Sequence, residues 1–284
     1  MANQGFNNDA LAYCLQRLRL EDRDRYLMLL FAPKAARPVL AAIYTFNLEC
    51  ARAVAAGGEQ PTLGQMRLQW WRDRLAGLGN NLPSTAIHPL LSILSHNAGL
   101  VPGLQLQLSA RERDLTNPTF STLDEVVEHA TATGGDLAAL AALQLDENQE
   151  FPARAAGTAY ALAGMLRAIP FQRPGRAFQG RLCLPTYLLE AHGLSEDEVW
   201  SANRMDAIMT CVQTVAEVAR SQLDKITYIH STGVSISPLL HGALASAYLS
   251  RLSRAGYNPY SSALGLNPMT RPLILFWRTL LCRP

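Results

Sequence analysis

A helix that grips a divalent cation does so with carboxylates at i and i+4, the spacing that points two acids out of one face. Glu49 offers no such partner, and Asp136 and Asp146, on one predicted helix, are too far apart to make the pair. Each of the three reads as a solvated or capping carboxylate. The six histidines, His88, His96, His129, His192, His230 and His241, lack ligand spacing. The five cysteines, Cys14, Cys50, Cys183, Cys211 and Cys282, are scattered, odd in number and without a C-x-x-C pair, so they read as reduced thiols. No Ser/His/Asp order, phosphate loop or dinucleotide fingerprint is present. The tandem Trp70–Trp71 reads either as a partner surface or as one core and one half-buried side chain, the commoner arrangement.

The elements that must position any site are helices. Residues 34–55 place Val39, Ile43, Phe46, Cys50 and Val54 on one face, at steps of three and four. Segments 62–78, 122–145, 155–169, 205–230 and 237–254 continue the pattern. Ser121 or Thr122 supplies a start signal for 122–145. The Gly134–Gly135 pair costs about 1 kcal/mol per residue in a helix, so a close packing contact with another helix or a ligand is its expected reason. Pro and Gly cluster at 57–61, 79–83, 99–103, 170–180 and 256–268 as connections. No alternating strand run and no domain linker is visible. The reading is one all-α domain over 1–284, a helical bundle of roughly ten helices, with a final helix at about 269–282 that could sit peripherally.

Nearly half of the residues are apolar and 17% are charged, enough for a substantial core. A net charge of +2 without a dense basic block gives no argument for nucleic acid. The longest apolar runs, such as Val39–Tyr44, are far short of a membrane span. The first residues, MANQGFNNDALAYC, show neither a basic-then-apolar secretory signal nor an Arg-rich transit peptide, which predicts a cytoplasmic protein.

Residues 157–185 carry the most specific pattern. Gly157, Ala159, Leu162, Leu166, Arg167, Gly180, Arg181, Leu184 and Pro185 match the diphosphate-binding helix and following loop of the squalene/phytoene synthases. Pro33, Arg37, Ala41, Tyr44 and Phe46, the segment 123–136, His192–Ser195 and Ala255–Tyr257 fall at family spacing before and after it. The chain therefore resembles that family from about Tyr13 to Tyr257. The resemblance implies an isoprenoid (terpenoid) synthase fold, a single helical bundle around a central cavity lined by the helices near 39–55, 123–145 and 155–169. It also implies ligand contacts at Arg167, Arg181, Tyr44, Gly134 and Gly135. The two arginines read either as a remnant anion site for a phosphate or lipid headgroup, or as ordinary structural cations.

Catalytic members hold magnesium between two D-x-x-x-D motifs on facing helices. Here the aspartate positions fall on Ala51, Ala55, Ala168 and Gln172, and the arginine of the family's F-C-R segment is Leu48. Glu49 lies two residues from position 51, about 200° around the helix. No catalytic residue, metal site or cofactor is therefore expected. The segments AIYTFNLECA (42–51), GQMRLQW (64–70) and LRAIP (166–170) resemble the degenerate branch that contains the mitochondrial complex I assembly factor related to phytoene synthase and its bacterial relatives. That branch implies a non-catalytic protein that assists complex I assembly at the inner membrane surface, on the matrix side in a eukaryote. Its implied partners are a complex I subunit or assembly protein, an isoprenoid or lipid ligand, and the membrane periphery. The alternative is a magnesium-dependent prenyl transferase joining two prenyl diphosphates head to head. In the last segment, Leu273, Phe276, Trp277 and Leu280 form an apolar stripe flanked by Arg271, Arg278 and Arg283, which reads as an interfacial helix or as a terminal helix packed on the core.

Overall fold

The computed structural model describes residues 8–57, 60–78, 88–116, 119–172, 181–226 and 236–281. The connection at 79–83, most of 170–180, the tail of the predicted helix 205–230, Cys282 and Arg283 lie outside them. Fourteen α-helices and no strands occur among the described residues: α1 Asn8–Glu21, α2 Arg23–Leu30, α3 Arg37–Gly57, α4 Pro61–Gly77, α5 Pro89–Ser95, α6 Val101–Thr116, α7 Leu123–Ala130, α8 Asp136–Leu143, α9 Glu150–Ala168, α10 Thr186–Ala191, α11 Glu196–Trp200, α12 Met205–Asp224, α13 Leu240–Arg254 and α14 Thr270–Leu281. The count exceeds the ten expected because short helices such as α5, α10 and α11 carry too little periodicity to declare themselves.

The starts are chemical. Thr122 accepts from the Glu125 amide while Glu125 returns a bond to the Ser121 amide, and Ser195 with Glu198 forms a reciprocal capping box. Pro61 and Pro89 open α4 and α5, where a missing N–H costs nothing. Gly193 and Gly256, at the ends of α10 and α13, adopt the left-handed conformation that a side chain would resist.

Besides a small cluster of Ala138, Ala142, Ala153 and Leu239, two large apolar cores occur among the described residues. One joins α1, α3, α4, α5 and α6 through Leu18, Ile43, Phe46, Leu68 and Trp71. The other wraps α9 with α12 and α13 through Leu162, Leu166, Val215, Leu244 and Tyr248. Helix α9 lies at the centre, against α8, α12 and α13. Its near wall is small: a Cβ on Gly157 would lie 2.3 Å from the Gly134 carbonyl, and one on Gly134 would lie 2.6 Å from the Ala161 methyl. The predicted helix 122–145 is thus one continuous element broken into a π turn at Thr131–Gly135, where Gln107 donates to the freed Ala132 carbonyl at 2.7 Å. Helix α3 is long and apolar enough to cross a bilayer by composition, which the short runs did not suggest, yet more than half of that stretch is buried between its neighbours.

Candidate functional site

A cavity of about 690 Å³ opens between the two cores. Helix α3 lends it Asn47, Ala51, Val54 and Ala55. Helix α9 and the short 3₁₀ turn after it lend Tyr160, Ala161, Gly164, Met165, Ala168 and Gln172. The π turn adds Thr133 and Gly134. These are the three walls expected from sequence. Helices α6 and α11 also contribute, with Arg111, Asp114, Leu115, Glu196 and Trp200.

The expected ligand residues divide. Gly134 and Arg181 line the cavity. Arg167, one residue before Ala168, is turned about 100° away and rests over the Tyr248 ring at 3.7 Å. Tyr44 lies on the same face as Ala51 but two turns deeper, fully buried beneath the Arg25 guanidinium and beside His241. Gly135 faces α9, where a Cβ would meet the Thr158 hydroxyl at 2.4 Å. So Arg167, Tyr44 and Gly135 do not line the space itself. Asp136 pairs with Arg154, Asp146 caps the turn that leads into α9, and Glu49 points out of the other side of α3.

Positions 51, 55, 168 and 172 all line the cavity, and three carry methyl groups. Neither α3 nor α9 puts a carboxylate on its wall. The lining carboxylates are Asp114 and Glu196, and no cluster of three metal-ligating side chains occurs among the described residues. Hard cations need several oxygen ligands, so these side chains do not fit a magnesium cluster between the two helices.

What the wall also carries is a cationic corner, of which the sequence points to Arg181 but not to Arg111, Asp114 or His129. Arg111 donates to Asp114 and to the Asn47 amide oxygen, each at 3.3 Å. Arg181 donates to the Thr119 carbonyl at 2.5 Å, stacks over Phe120 at 3.5 Å and lies 3.9 Å from Asp114. His129 sits 3.5 Å from Asp114, yet burial and the nearby arginines push it down to about 4, so it is neutral at pH 7. One buried carboxylate thus faces two largely buried guanidiniums. Glu125, the next acid near Arg181, is exposed and bonded to the Ser121 amide. Burial drags the Arg181 guanidinium below its ordinary value, as an incompletely balanced buried cation should be. A second corner holds Arg25, paired with Asp22 at 2.5 Å, and Tyr160, which donates to Asp24 at 2.9 Å. Asp24 also accepts from Tyr248 at 2.8 Å and pairs with Arg271 of α14 at 3.3 Å. Apolar walls with a cationic corner suit a chain-like ligand with an anionic end.

A model of the squalene/phytoene synthase family matches residues 18–278. The chain belongs to the squalene/phytoene synthase family. Among solved structures, a dehydrosqualene synthase superposes with a TM-score of 0.78 at 15% identity, covering 96% of this chain and 97% of that one. The squalene synthase HpnC from Alicyclobacillus acidocaldarius gives 0.71 at 19%, covering 89% and 96%. At such identities these likenesses establish the isoprenoid synthase fold. By sequence the chain is similar to a Drosophila melanogaster protein named NADH dehydrogenase (ubiquinone) complex I, assembly factor 6 homolog, 28% identical over 98% of this chain and 85% of that one. It is also similar to the Homo sapiens assembly factor 6, 25% identical over 94% and 81%.

Proposed function

We propose that this family member is non-catalytic and assists the assembly of respiratory complex I. The observation that carries the reading is the cavity wall. The four positions where the family resemblance puts magnesium-binding aspartates face the cavity as Ala51, Ala55, Ala168 and Gln172. Without metal, the diphosphate leaving group of a prenyl substrate loses the charge that stabilises its departure. The relatives named as complex I assembly factors support the same conclusion. No magnesium or other cofactor is needed for this role. The cavity takes an isoprenoid or lipid ligand, its anionic end at Arg111 and Arg181.

The protein acts on the cytoplasmic face of the inner membrane, or the matrix face in a eukaryote. Helix α14 supports this placement. It fixes itself to the core through Leu275 and the Arg271–Asp24 pair, yet leaves Leu273, Phe276, Trp277, Leu280 and Leu281 exposed. Anionic vesicles should pellet the full-length protein, and a Phe276→Ser/Trp277→Ser variant should stay in solution. Equal pelleting would remove the membrane from the reading.

The second reading is a head-to-head prenyl transferase, favoured by the size of the cavity and its cationic corner. Diphosphate release from farnesyl and geranylgeranyl diphosphate, with and without magnesium, separates the two. The assembly reading expects none. In cells lacking this protein, complex I activity should fall and return with the wild-type gene.

A further inference from the structure

Helix α3 has a second face. Glu49, Arg52 and Ala53 turn away from the central cavity and, with Arg67, Trp70, Trp71 and His88, line a separate pocket of about 240 Å³. Trp71, 4% exposed, packs edge-on against Phe46 at 5.3 Å and against the His88 ring at 4.9 Å. Trp70 stands half-buried beside it at 4.9 Å. Glu49 is held at the back by Tyr13 at 3.4 Å, Arg17 at 3.6 Å and Arg52 at 3.5 Å. Arg17 is taken up by Glu21 at 2.6 Å. Arg52 reaches Glu21 only at 3.7 Å with half of its side chain exposed, and Arg67 is exposed with no close ion pair among the described residues. Three arginines thus meet two glutamates, and the surplus charge lies at the mouth.

The rest of α4 continues this mouth. At 100° per residue, Leu63, Met66, Arg67, Trp70 and Arg74 fall on one stripe, beside the face that buries Gly64, Leu68, Trp71 and Leu75. Met66 is 66% exposed and Leu63 39%, while Arg74 covers the Trp70 ring at 5.4 Å. The nearest acid on α4, Asp73, lies on the flank and is bonded by Gln69 at 2.7 Å. An outward helix face that is apolar and cationic, with a tryptophan-walled pocket at its centre, has the composition of a protein-binding hot spot. The pocket is smaller than ordinary small-molecule sites, which run to about 300–1,000 Å³, and has the size for a side chain. A flat bilayer cannot enter a concave pocket.

We infer that the outer face of α3 and α4 docks a protein partner, and that its pocket receives a carboxylate side chain from an acidic amphipathic segment of that partner. Arg52 and Arg67 grip the carboxylate, and Leu63, Met66 and Trp70 meet the apolar residues of the segment. The inference rests on the assembly reading only in so far as the partner belongs to complex I.

Fluorescence anisotropy of the full-length protein tests it, using a labelled synthetic amphipathic helix with glutamates on its polar face. The acidic peptide should bind and weaken with added salt. Arg52→Glu/Arg67→Glu, checked by circular dichroism to be folded at the assay temperature, should lower its affinity at least ~10-fold and should bind the lysine version of the peptide instead. No binding of the acidic peptide, or binding indifferent to the charge reversal, would overturn the inference. So would loss of anionic-vesicle binding by the variant while neither peptide binds. Complex I activity in complemented cells keeps the two readings apart. If the wild-type gene restores it and the charge-reversed gene restores it equally, docking fails and assembly stands. If complex I is normal without the protein, the assembly reading fails, while peptide binding still judges the surface.

Discussion

The two sides of α3 are built on opposite terms. Towards the cavity the helix shows Asn47, Ala51, Val54 and Ala55, small side chains that leave space; towards the outer pocket it shows Glu49 and Arg52, long side chains that leave charge at the surface. The wall towards the cavity is smooth and uncharged, and the outward wall is charged. One helix therefore separates a binding volume from a recognition surface, and damage to the two should look different. Damage to the inner side should reach stability and ligand; damage to the outer side should reach partners alone.

The inner side breaks hardest at its closest packing. Gly157→Val must push α9 off the Gly134 carbonyl, and denaturant unfolding should record a loss of about 3 kcal/mol or more. A loss under about 0.5 kcal/mol would mean that the two helices part easily. Asp24→Asn comes next. It leaves Arg271 without its carboxylate and weakens the tyrosine bonds beneath the cavity, a cost of about 2–3 kcal/mol, with α14 becoming more open to proteolysis. Acid should act through the same buried region. His129 and His241 are pushed down by burial to about 4 and about 3, so the folded state binds their protons later than the unfolded chain does. Their stabilisation is complete above about pH 6.5 and is lost as pH falls through the folded values. His129→Gln should flatten that acid slope in pH-dependent melting; an unchanged slope would place its cause elsewhere. The outer side gives the smallest change: Arg67→Ala should move stability by less than about 0.5 kcal/mol.

Helices α3, α4, α9 and α12 were legible because apolar residues recur along them at helical steps, and the three walls of the cavity followed from the family pattern. A cap at Ser121 or Thr122, one core and one half-buried side chain in the Trp70–Trp71 pair, and the tight contact at Gly134–Gly135 were legible for local reasons, each depending on neighbours one helical turn away or on a missing side chain; that the cap is Thr122 and the core residue Trp71 took the fold to decide. The cationic corner was legible only in Arg181, which the family pattern marks as an anion contact. Arg111, Asp114 and His129 join it across three elements, and nothing in their spacing along the sequence announces the meeting. The place of Arg25 at the cavity was hidden too: its ion pair, Asp22, is three residues away, but the Tyr44 and Tyr160 rings it covers lie far along the chain. Arg167 followed the motif but not the geometry, because one residue along a helix turns a side chain off the wall that its neighbour lines.

The ligand site proposed at Arg111 and Arg181 needs no metal. Farnesyl diphosphate titrated calorimetrically into the full-length protein, with magnesium and then with a chelator, should give the same heat and the same affinity, and binding should be lost in Arg111→Gln/Arg181→Gln. Binding that appears only with magnesium would mean that a metal site does exist in this scaffold.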